Sequence, residues 1–187
     1  MRYTLQNGWI EQAASVPSSN CDPRPVGVEP DLLVIHNISL PPGEYGGDCV
    51  ERFFTNCLDW AEHPFFEQIR DVRVSAHLLI RRTGDLIQFV NLADRAWHAG
   101  CSSFKGRDQC NDFSVGIELE GTDDEAYTEQ QYQVLALVTH GLFGQYSRMN
   151  SARIVGHSDI SPGRKTDPGP AFDWLHYRAL LGQSGDL

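Results

Sequence analysis

The pattern of apolar and polar positions predicts buried strands at three places along the chain. The apolar run DLLVIHNI at 31–38 is bounded by proline and aspartate, which is typical of a strand covered on both faces. In FSVGIELEG at 113–121, alternation places Glu118 and Glu120 on the face opposite the aliphatic residues. The run ARIVGHSDI at 152–160 predicts a further short strand.

Helical spacing and turn signals separate these strands. Residues 48–63 repeat apolar side chains at helical spacing, and Pro64 is expected to end or kink that helix. A capping box followed by an apolar stripe predicts a helix over 128–146. A closing helix is predicted over 171–181. A hairpin is predicted over 74–90, where two apolar runs flank a turn that contains glycine. Interleaved strands and helices predict an α/β or α+β fold, with helices on both faces of a sheet.

Composition and charge narrow the class of protein. The chain has 187 residues, 41% of them hydrophobic, which fits a single domain over residues 1–187. Its formal net charge of −10 argues against a general nucleic-acid or anionic-membrane surface. The five cysteines form no Cys-x-x-Cys pair, which favours reduced thiols. The sequence has no recognisable signal peptide or membrane-spanning run, so we expect a soluble cytoplasmic protein with no obligate protein partner.

Candidate metal ligands lie at or beyond the ends of two predicted strands. His36 is either a core histidine bonded to the backbone or a ligand, because α/β sheets bind ligands at strand ends. His157 ends another strand, and Asp167 lies ten residues further on, across a loop rich in glycine and proline. Two imidazoles and one carboxylate are a ligand set of catalytic zinc, with a fourth position open for water. The spacing matches no short ligand motif, so both interpretations stay open at this point.

Other polar residues also have both a structural and a chemical interpretation. Lys165 is either a solvated loop lysine or an electrophile that stabilises an oxyanion. Glu118 is either a surface carboxylate or a general base. Trp97, beside His98, either packs in the core or offers a stacking face for a ring of the ligand. A nucleophilic-serine scheme is disfavoured because no serine lies in a G-x-S-x-G elbow, and the glycine motifs of nucleotide sites are also missing.

Six longer segments, in this order along the chain, carry a family resemblance: VIHNISLPPGEYGG, VSAHLLIRRTGDLIQFV, RAWHAG, CNDFSVGIELEGTD, YTEQQY and GHSDISPGRKTDPGPAFDW. Together they resemble the AmpD-type N-acetylmuramyl-L-alanine amidases of bacteria, from about Trp9 to Leu180. The resemblance implies the fold of amidases and peptidoglycan recognition proteins, with a single mixed β-sheet, helices packed on its faces and one zinc ion (Zn2+).

The resemblance also implies roles for individual residues. The implied metal ligands are His36, His157 and Asp167, with Glu118 as the catalytic carboxylate and Lys165 as the lysine that stabilises the transition state. The implied substrate contacts are Asn37, Trp97, His98, Arg73 and Arg107. Phe104 and Gln109 stand where the family resemblance leads us to expect tyrosine and arginine, which makes peptide preference less predictable than the chemistry.

The implied substrates are small molecules, the 1,6-anhydro-muropeptides of cell-wall turnover. The implied reaction is hydrolysis of the amide between the lactyl group of 1,6-anhydro-N-acetylmuramic acid and L-alanine, in cytoplasmic recycling and, in some bacteria, in control of β-lactamase induction. One alternative is a binding module that keeps the fold but has lost a zinc ligand. Another is a periplasmic amidase of broad specificity. The full ligand set argues against the first, and the lack of a recognisable signal sequence argues against the second.

Overall fold

The computed structural model describes residues 3–183 of the chain. In this range the strands are β1 (Leu5–Gln6), β2 (Trp9–Ile10), β3 (Ala14–Ser15), β4 (Cys21–Pro23), β5 (Leu32–Ile38), β6 (Leu78–Ile80), β7 (Leu86–Gln88), β8 (Asp94–Ala96), β9 (Ser103–Phe104), β10 (Arg107–Asp108), β11 (Ser114–Glu120) and β12 (Ile154–Gly156). The α-helices are α1 (Cys49–Phe54), α2 (Pro64–Gln68), α3 (Glu129–Gln145), α4 (His157–Ile160) and α5 (Trp174–Gln183). None of the helices in the described range is long and apolar enough to cross a membrane.

A six-stranded sheet in the order β12-β5-β11-β6-β7-β3 forms the centre of the fold. Strands β12, β5, β11 and β6 run parallel, and β7 returns antiparallel to β6 as the predicted hairpin. Gly84 takes a φ of 87° in that hairpin, a conformation that side chains disfavour. Strand β3 adds parallel to β7. The predicted mixed sheet is therefore confirmed.

Helices α3 and α5 cover one face of the sheet. Leu33, Ile35 and Ile117 point into this layer and are fully buried. Helix α3 begins with the predicted capping box, in which Thr128 Oγ1 accepts from Gln131 N at 3.2 Å and Gln131 Oε1 accepts from Thr128 N at 3.0 Å. Each fully buried aliphatic side chain contributes about 1.5–3 kcal/mol of stability. The packed layer therefore holds the central strands in place on this face of the sheet.

The first predicted helix is wrong in its extent. The helical spacing over 48–63 yields only α1, which ends at Phe54. Pro64 then begins α2, because the first helical position needs no N–H partner. The imidazole of His63 caps this helix by accepting from Phe65 N at 3.1 Å. Pro64 therefore starts a helix instead of ending one.

The predicted strand over 152–160 is also shorter than expected. Pairing with β5 ends at Gly156, and His157 begins the single turn of α4. The carboxylate of Asp159 accepts from Gly156 N at 2.7 Å and closes this turn. His157 consequently lies at a corner between strand and helix.

Candidate active site

The sheet register brings three candidate residues to one level. Strand β11 pairs with β5 so that Glu118 lies opposite His36. On the other side of β5, Gly156 pairs with Ile35, which leaves His157 next to His36. Side chains that share a level in adjacent parallel strands lie on the same face. The two histidines and the glutamate therefore meet at the carboxyl ends of the central strands, where α/β folds bind ligands.

A loop over residues 161–169 brings the third predicted ligand to the two histidines. Asp167 Oδ2 lies 2.9 Å from His36 Nδ1 and 3.0 Å from His157 Nδ1. The two Nδ1 atoms are 3.0 Å apart. Two imidazole nitrogens and a carboxylate oxygen at this spacing form a donor set that suits zinc and leaves a fourth position open. The residues present therefore fit the metal that the family resemblance implies.

Hydrogen bonds hold the loop over 161–169, called here the ligand loop, and the ring of His157 in place. The backbone of Ser158 donates to the carbonyl of Asp167 at 3.0 Å, which fastens the loop to α4. His157 Nε2 lies 3.1 Å from the carbonyl of Ala99, so the ring donates there and turns its Nδ1 lone pair toward Asp167. Gly169 has a φ of +79°, and a Cβ there would lie 2.2 Å from Asp123 Cα. A glycine is needed for the loop to pack this closely.

Glu118 supplies a carboxylate whose pKa is raised by its buried surroundings. The residue is 9% exposed, and its Oε2 atom has no hydrogen-bond partner within residues 3–183. Burial raises the pKa of Glu118 well above its ordinary value, the charge of Asp167 raises it further, and the charge of Lys165 lowers it. A carboxyl group with a raised pKa can both accept and return a proton near neutral pH.

The ligands and Glu118 open into a cavity of about 340 Å³, called here the metal-site cavity. Asn37 and Lys165 also line it. Its apolar wall comes from Ile38, Phe53, Phe54, Ile69, Val72 and Val74. A wider groove of about 540 Å³, the outer groove, shares Asn37, Lys165 and Asp167 and extends to Asp123 and Asp124. The site can thus take a substrate larger than the reacting bond.

The predicted substrate contacts are placed very differently. Asn37 lines both cavities, and its amide donates to Asp123 Oδ1 at 2.8 Å. His98 also lines the metal-site cavity, but it is buried, with its Nδ1 2.9 Å from His36 Nε2. Arg73 is exposed and does not itself line this cavity, although its sequence neighbours Val72 and Val74 do. Its Nη1 donates to the carbonyls of Arg70 and Val72 at 2.8 and 3.1 Å.

The other two predicted contacts lie away from these cavities. Trp97 is half-buried, and its side chain hydrogen-bonds the carboxylate of Asp22, whose pKa is lowered mainly by Arg95. Arg107 pairs with Asp31 at 3.1 Å, at the end of β5 opposite His36. Neither residue lines the metal-site cavity or the outer groove as the structure describes them. Their contact with substrate remains a prediction that this geometry does not support.

One arginine with a part in the site had no role assigned from the sequence. Arg164 Nη2 donates to the carbonyls of Ala99 and Cys101 at 2.7 and 2.8 Å, and to Ser161 Oγ at 2.7 Å. The carbonyl of Ala99 is also the acceptor for His157. Arg164 therefore joins the ligand loop to the segment that orients a ligand ring. No sequence pattern distinguishes it from an ordinary loop arginine.

Comparison with known proteins identifies the class. Residues 26–170 match the family model described as N-acetylmuramoyl-L-alanine amidase, a span that holds β5, β11, β12 and the loop through Asp167. The chain therefore belongs to the N-acetylmuramoyl-L-alanine amidase family and is a hydrolase of that class. The family resemblance predicted from the sequence is confirmed.

Among individual proteins, the chain is similar to amidases of the AmpD type. The chain is 54% identical to the 1,6-anhydro-N-acetylmuramyl-L-alanine amidase AmpD of Escherichia coli strain K12, over 96% of this chain and 97% of that protein. A crystal structure of a selenomethionine derivative of AmpD matches with a TM-score of 0.93 at 54% identity, over 95% of this chain and 99% of that one. AmpDh3 from Pseudomonas aeruginosa, solved in complex with anhydromuramic pentapeptide, is 29% identical with a TM-score of 0.60, over 81% of this chain and 59% of that one.

Proposed function

We propose that this chain is a zinc-dependent amidase that cleaves the bond between the lactyl group of 1,6-anhydro-N-acetylmuramic acid and L-alanine. The observation that carries the proposal is the meeting of three ligand atoms within 3.0 Å of one another beside the unpartnered carboxylate of Glu118. The anhydro-muropeptide class is supported by the relatives, since close ones are named for this activity and AmpDh3 holds an anhydromuramic pentapeptide.

The proposed mechanism assigns one task to each group around the cavity. His36, His157 and Asp167 would hold the zinc, which supplies Lewis acidity toward the carbonyl and lowers the pKa of a water. Glu118 accepts the proton of the attacking water and later delivers it to the departing nitrogen of alanine. Lys165 faces the oxygen on which negative charge develops.

Burial explains why Glu118 suits both of its steps. A surface glutamate is fully ionised near neutral pH and is a poor proton donor to the leaving amine. The raised pKa of Glu118 brings the two protonation states closer in free energy. The apolar wall around Phe53 and Phe54 supplies the low dielectric that causes this shift.

A metal and substrate assay tests the proposal. Purified enzyme is expected to contain one zinc per chain, to lose hydrolysis of soluble anhydro-muropeptides on chelation, and to regain it when zinc is restored. Active enzyme with much less than one zinc per chain contradicts the metal assignment. Hydrolysis of non-anhydro muropeptides alone contradicts the substrate assignment.

The same assay separates two alternative functions. A binding module would retain anhydro-muropeptides without releasing alanine-bearing peptide. A broad periplasmic amidase would digest intact sacculi as readily as soluble fragments. We expect release of free peptide from soluble anhydro-muropeptides and slow or no digestion of sacculi.

Cellular roles complete the proposal. We propose that residues 1–187 act as one amidase domain in cytoplasmic cell-wall recycling. In hosts that sense uncut muropeptides, loss of this activity would raise β-lactamase induction. Deletion of the gene followed by mass spectrometry of cytosolic muropeptides checks the first role, and a β-lactamase reporter checks the second.

A further inference from the structure

A chain of short polar contacts runs from His36 away from the metal-site cavity. His36 Nε2 lies 2.9 Å from His98 Nδ1, and His98 Nε2 lies 3.0 Å from Ser114 Oγ. Ser114 Oγ lies 2.6 Å from the carbonyl oxygen of Cys110. All four residues are buried. The mechanism above gives no task to His98, Ser114 or Cys110.

The far end of the chain determines where each proton lies. A carbonyl oxygen can only accept, so the single hydroxyl proton of Ser114 must lie between its Oγ and the carbonyl of Cys110. Ser114 Oγ must then accept from His98 Nε2. A neutral imidazole carries one N–H, so His98 Nδ1 accepts from His36 Nε2. The Nδ1 atom of His36 is left with a free lone pair, facing Asp167.

The arrangement requires both rings to be neutral, because protonation of either ring would place two donors against each other along the chain of contacts.

We propose that His98 and Ser114 are positioning residues that fix His36 as its Nε2–H tautomer and thereby present His36 Nδ1 to the metal. The proposal rests on the zinc site proposed above. It moves His98 from the expected substrate contacts to the support of a ligand. A second layer of this kind commonly sets the orientation and basicity of a metal-bound histidine.

The packing around His98 supports its role as a positioning residue, because neighbouring residues hold it in one place. A Cβ at Gly116 would lie 2.5 Å from His98 Cγ and Nδ1, so β11 leaves room for the ring at that one position. The backbone N–H groups of His98 and Ala99 both donate to Asn111 Oδ1, at 3.1 and 2.7 Å. Asn111 follows Cys110 directly, so one turn supplies both the terminal acceptor and the side chain that holds the backbone of His98.

The second histidine ligand needs no such support. His157 Nε2 lies 3.1 Å from the carbonyl of Ala99, which can only accept, and 3.4 Å from Arg164 Nη2, which can only donate. The shorter contact assigns the proton to Nε2 without a second imidazole. The acceptor of His36 is another imidazole, which could take either tautomer. Ser114 removes that choice, although it lies one ring away from the ligand.

Zinc affinity measured by competition with a chromophoric chelator tests the proposal. His98→Leu removes the acceptor and is expected to weaken zinc binding about 10-fold to 100-fold. His98→Asn keeps an acceptor oxygen near the position of Nδ1 and is expected to recover most of that loss. Ser114→Ala is expected to weaken binding by a smaller factor, since it only releases the tautomer of His98.

Ser102→Ala is the matched control, because it removes a buried hydroxyl that contacts the same turn but lies outside the chain of contacts. Ser102 Oγ accepts from Cys110 N at 3.1 Å and donates to the carbonyl of Gly100 at 3.1 Å. Wild-type zinc affinity is expected for this variant. A loss as large as that of Ser114→Ala would show that both hydroxyls act only through the turn, and would overturn the proposal.

Nitrogen-15 NMR of zinc-loaded wild-type enzyme gives a direct reading that needs no variant. We expect His36 with a proton on Nε2 and zinc on Nδ1. A proton on Nδ1 with zinc on Nε2 overturns the proposal, as does a folded His98→Leu chain with wild-type zinc affinity. Failure of the wild-type chain to bind zinc overturns the proposed function as well, whereas unaffected affinity in the variants overturns the positioning role alone.

Discussion

The site has two halves with different physical origins. His36 and Glu118 stand on neighbouring central strands and are 1% and 9% exposed. Lys165 and Asp167 stand on the loop over 161–169, where Lys165 is exposed and Asp167 is half-buried. The ladder and the core fix the strand half, whereas local hydrogen bonds and close glycine contacts fix the loop half. Burial therefore shifts the pKa values of the strand half, whereas the loop brings Lys165 and Asp167 to the site from a distant part of the chain.

The largest expected effect falls on the strand half. Glu118→Gln keeps the shape of the side chain but removes the proposed base, so kcat is expected to fall about 100-fold to 10,000-fold with zinc still bound. Kinetics and zinc analysis of the same preparation check this. Glu120→Gln is the matched control, because Glu120 accepts from Gly46 N and Arg82 N and serves the fold. Wild-type turnover of Glu118→Gln contradicts its role as base.

A smaller effect is expected on the loop half. Lys165→Met removes the cation that we propose stabilises the developing oxyanion, so kcat is expected to fall about 100-fold to 1,000-fold while KM changes less. Steady-state kinetics check this. Lys105→Met is the control, since Lys105 is exposed and lines neither cavity. Equal losses in both variants would mean that general charge, and not position, is responsible.

The packing of the loop half gives a prediction on stability. Gly163 and Gly169 both have positive φ, but a Cβ at Gly163 meets nothing within 4 Å in the described chain, whereas one at Gly169 overlaps Asp123. Gly163→Ala is expected to cost about 1–2 kcal/mol of unfolding free energy. Gly169→Ala is expected to cost about 2–5 kcal/mol. Urea unfolding measures both, and equal costs would contradict the close approach of the loop to Asp123.

The smallest expected effect concerns pH and the burial of Glu118. Its pKa is raised in the folded chain, so the contribution of this group to stability is full below the ordinary value of about 4.5 and is lost as pH rises through the raised value. Metal-free Glu118→Gln should therefore gain stability over the wild-type chain as pH rises from 4.5 to 8. Thermal unfolding across that range checks the sign, and a constant difference contradicts it.

Local patterns predicted much of the fold. Alternation predicted β11 and the aliphatic run predicted β5, because burial on a sheet requires those patterns. The capping box predicted the start of α3 for the same local reason. The helix after residue 48 was predicted too long, because helical spacing alone does not show where packing stops. Pro64 was misjudged because proline both ends helices and begins them.

Resemblance, and not spacing, predicted the site. Nothing in the distance of ten residues between His157 and Asp167 favours a shared metal. The structure brings their ligand atoms to 3.0 Å. The resemblance also predicts substrate contacts at Trp97 and Arg107, which stay predictions, because both side chains pair with carboxylates away from the cavities.

Local periodicity and side-chain chemistry are enough to predict the central strands, helices α3 and α5, and the residue types able to bind zinc. Tertiary packing sets the remaining relations: Glu118 lies opposite His36, Gly116 makes room for the ring of His98, and Ser114 Oγ contacts His98 Nε2. These relations join residues far apart in sequence. They depend on sheet register and close packing, which local patterns do not specify.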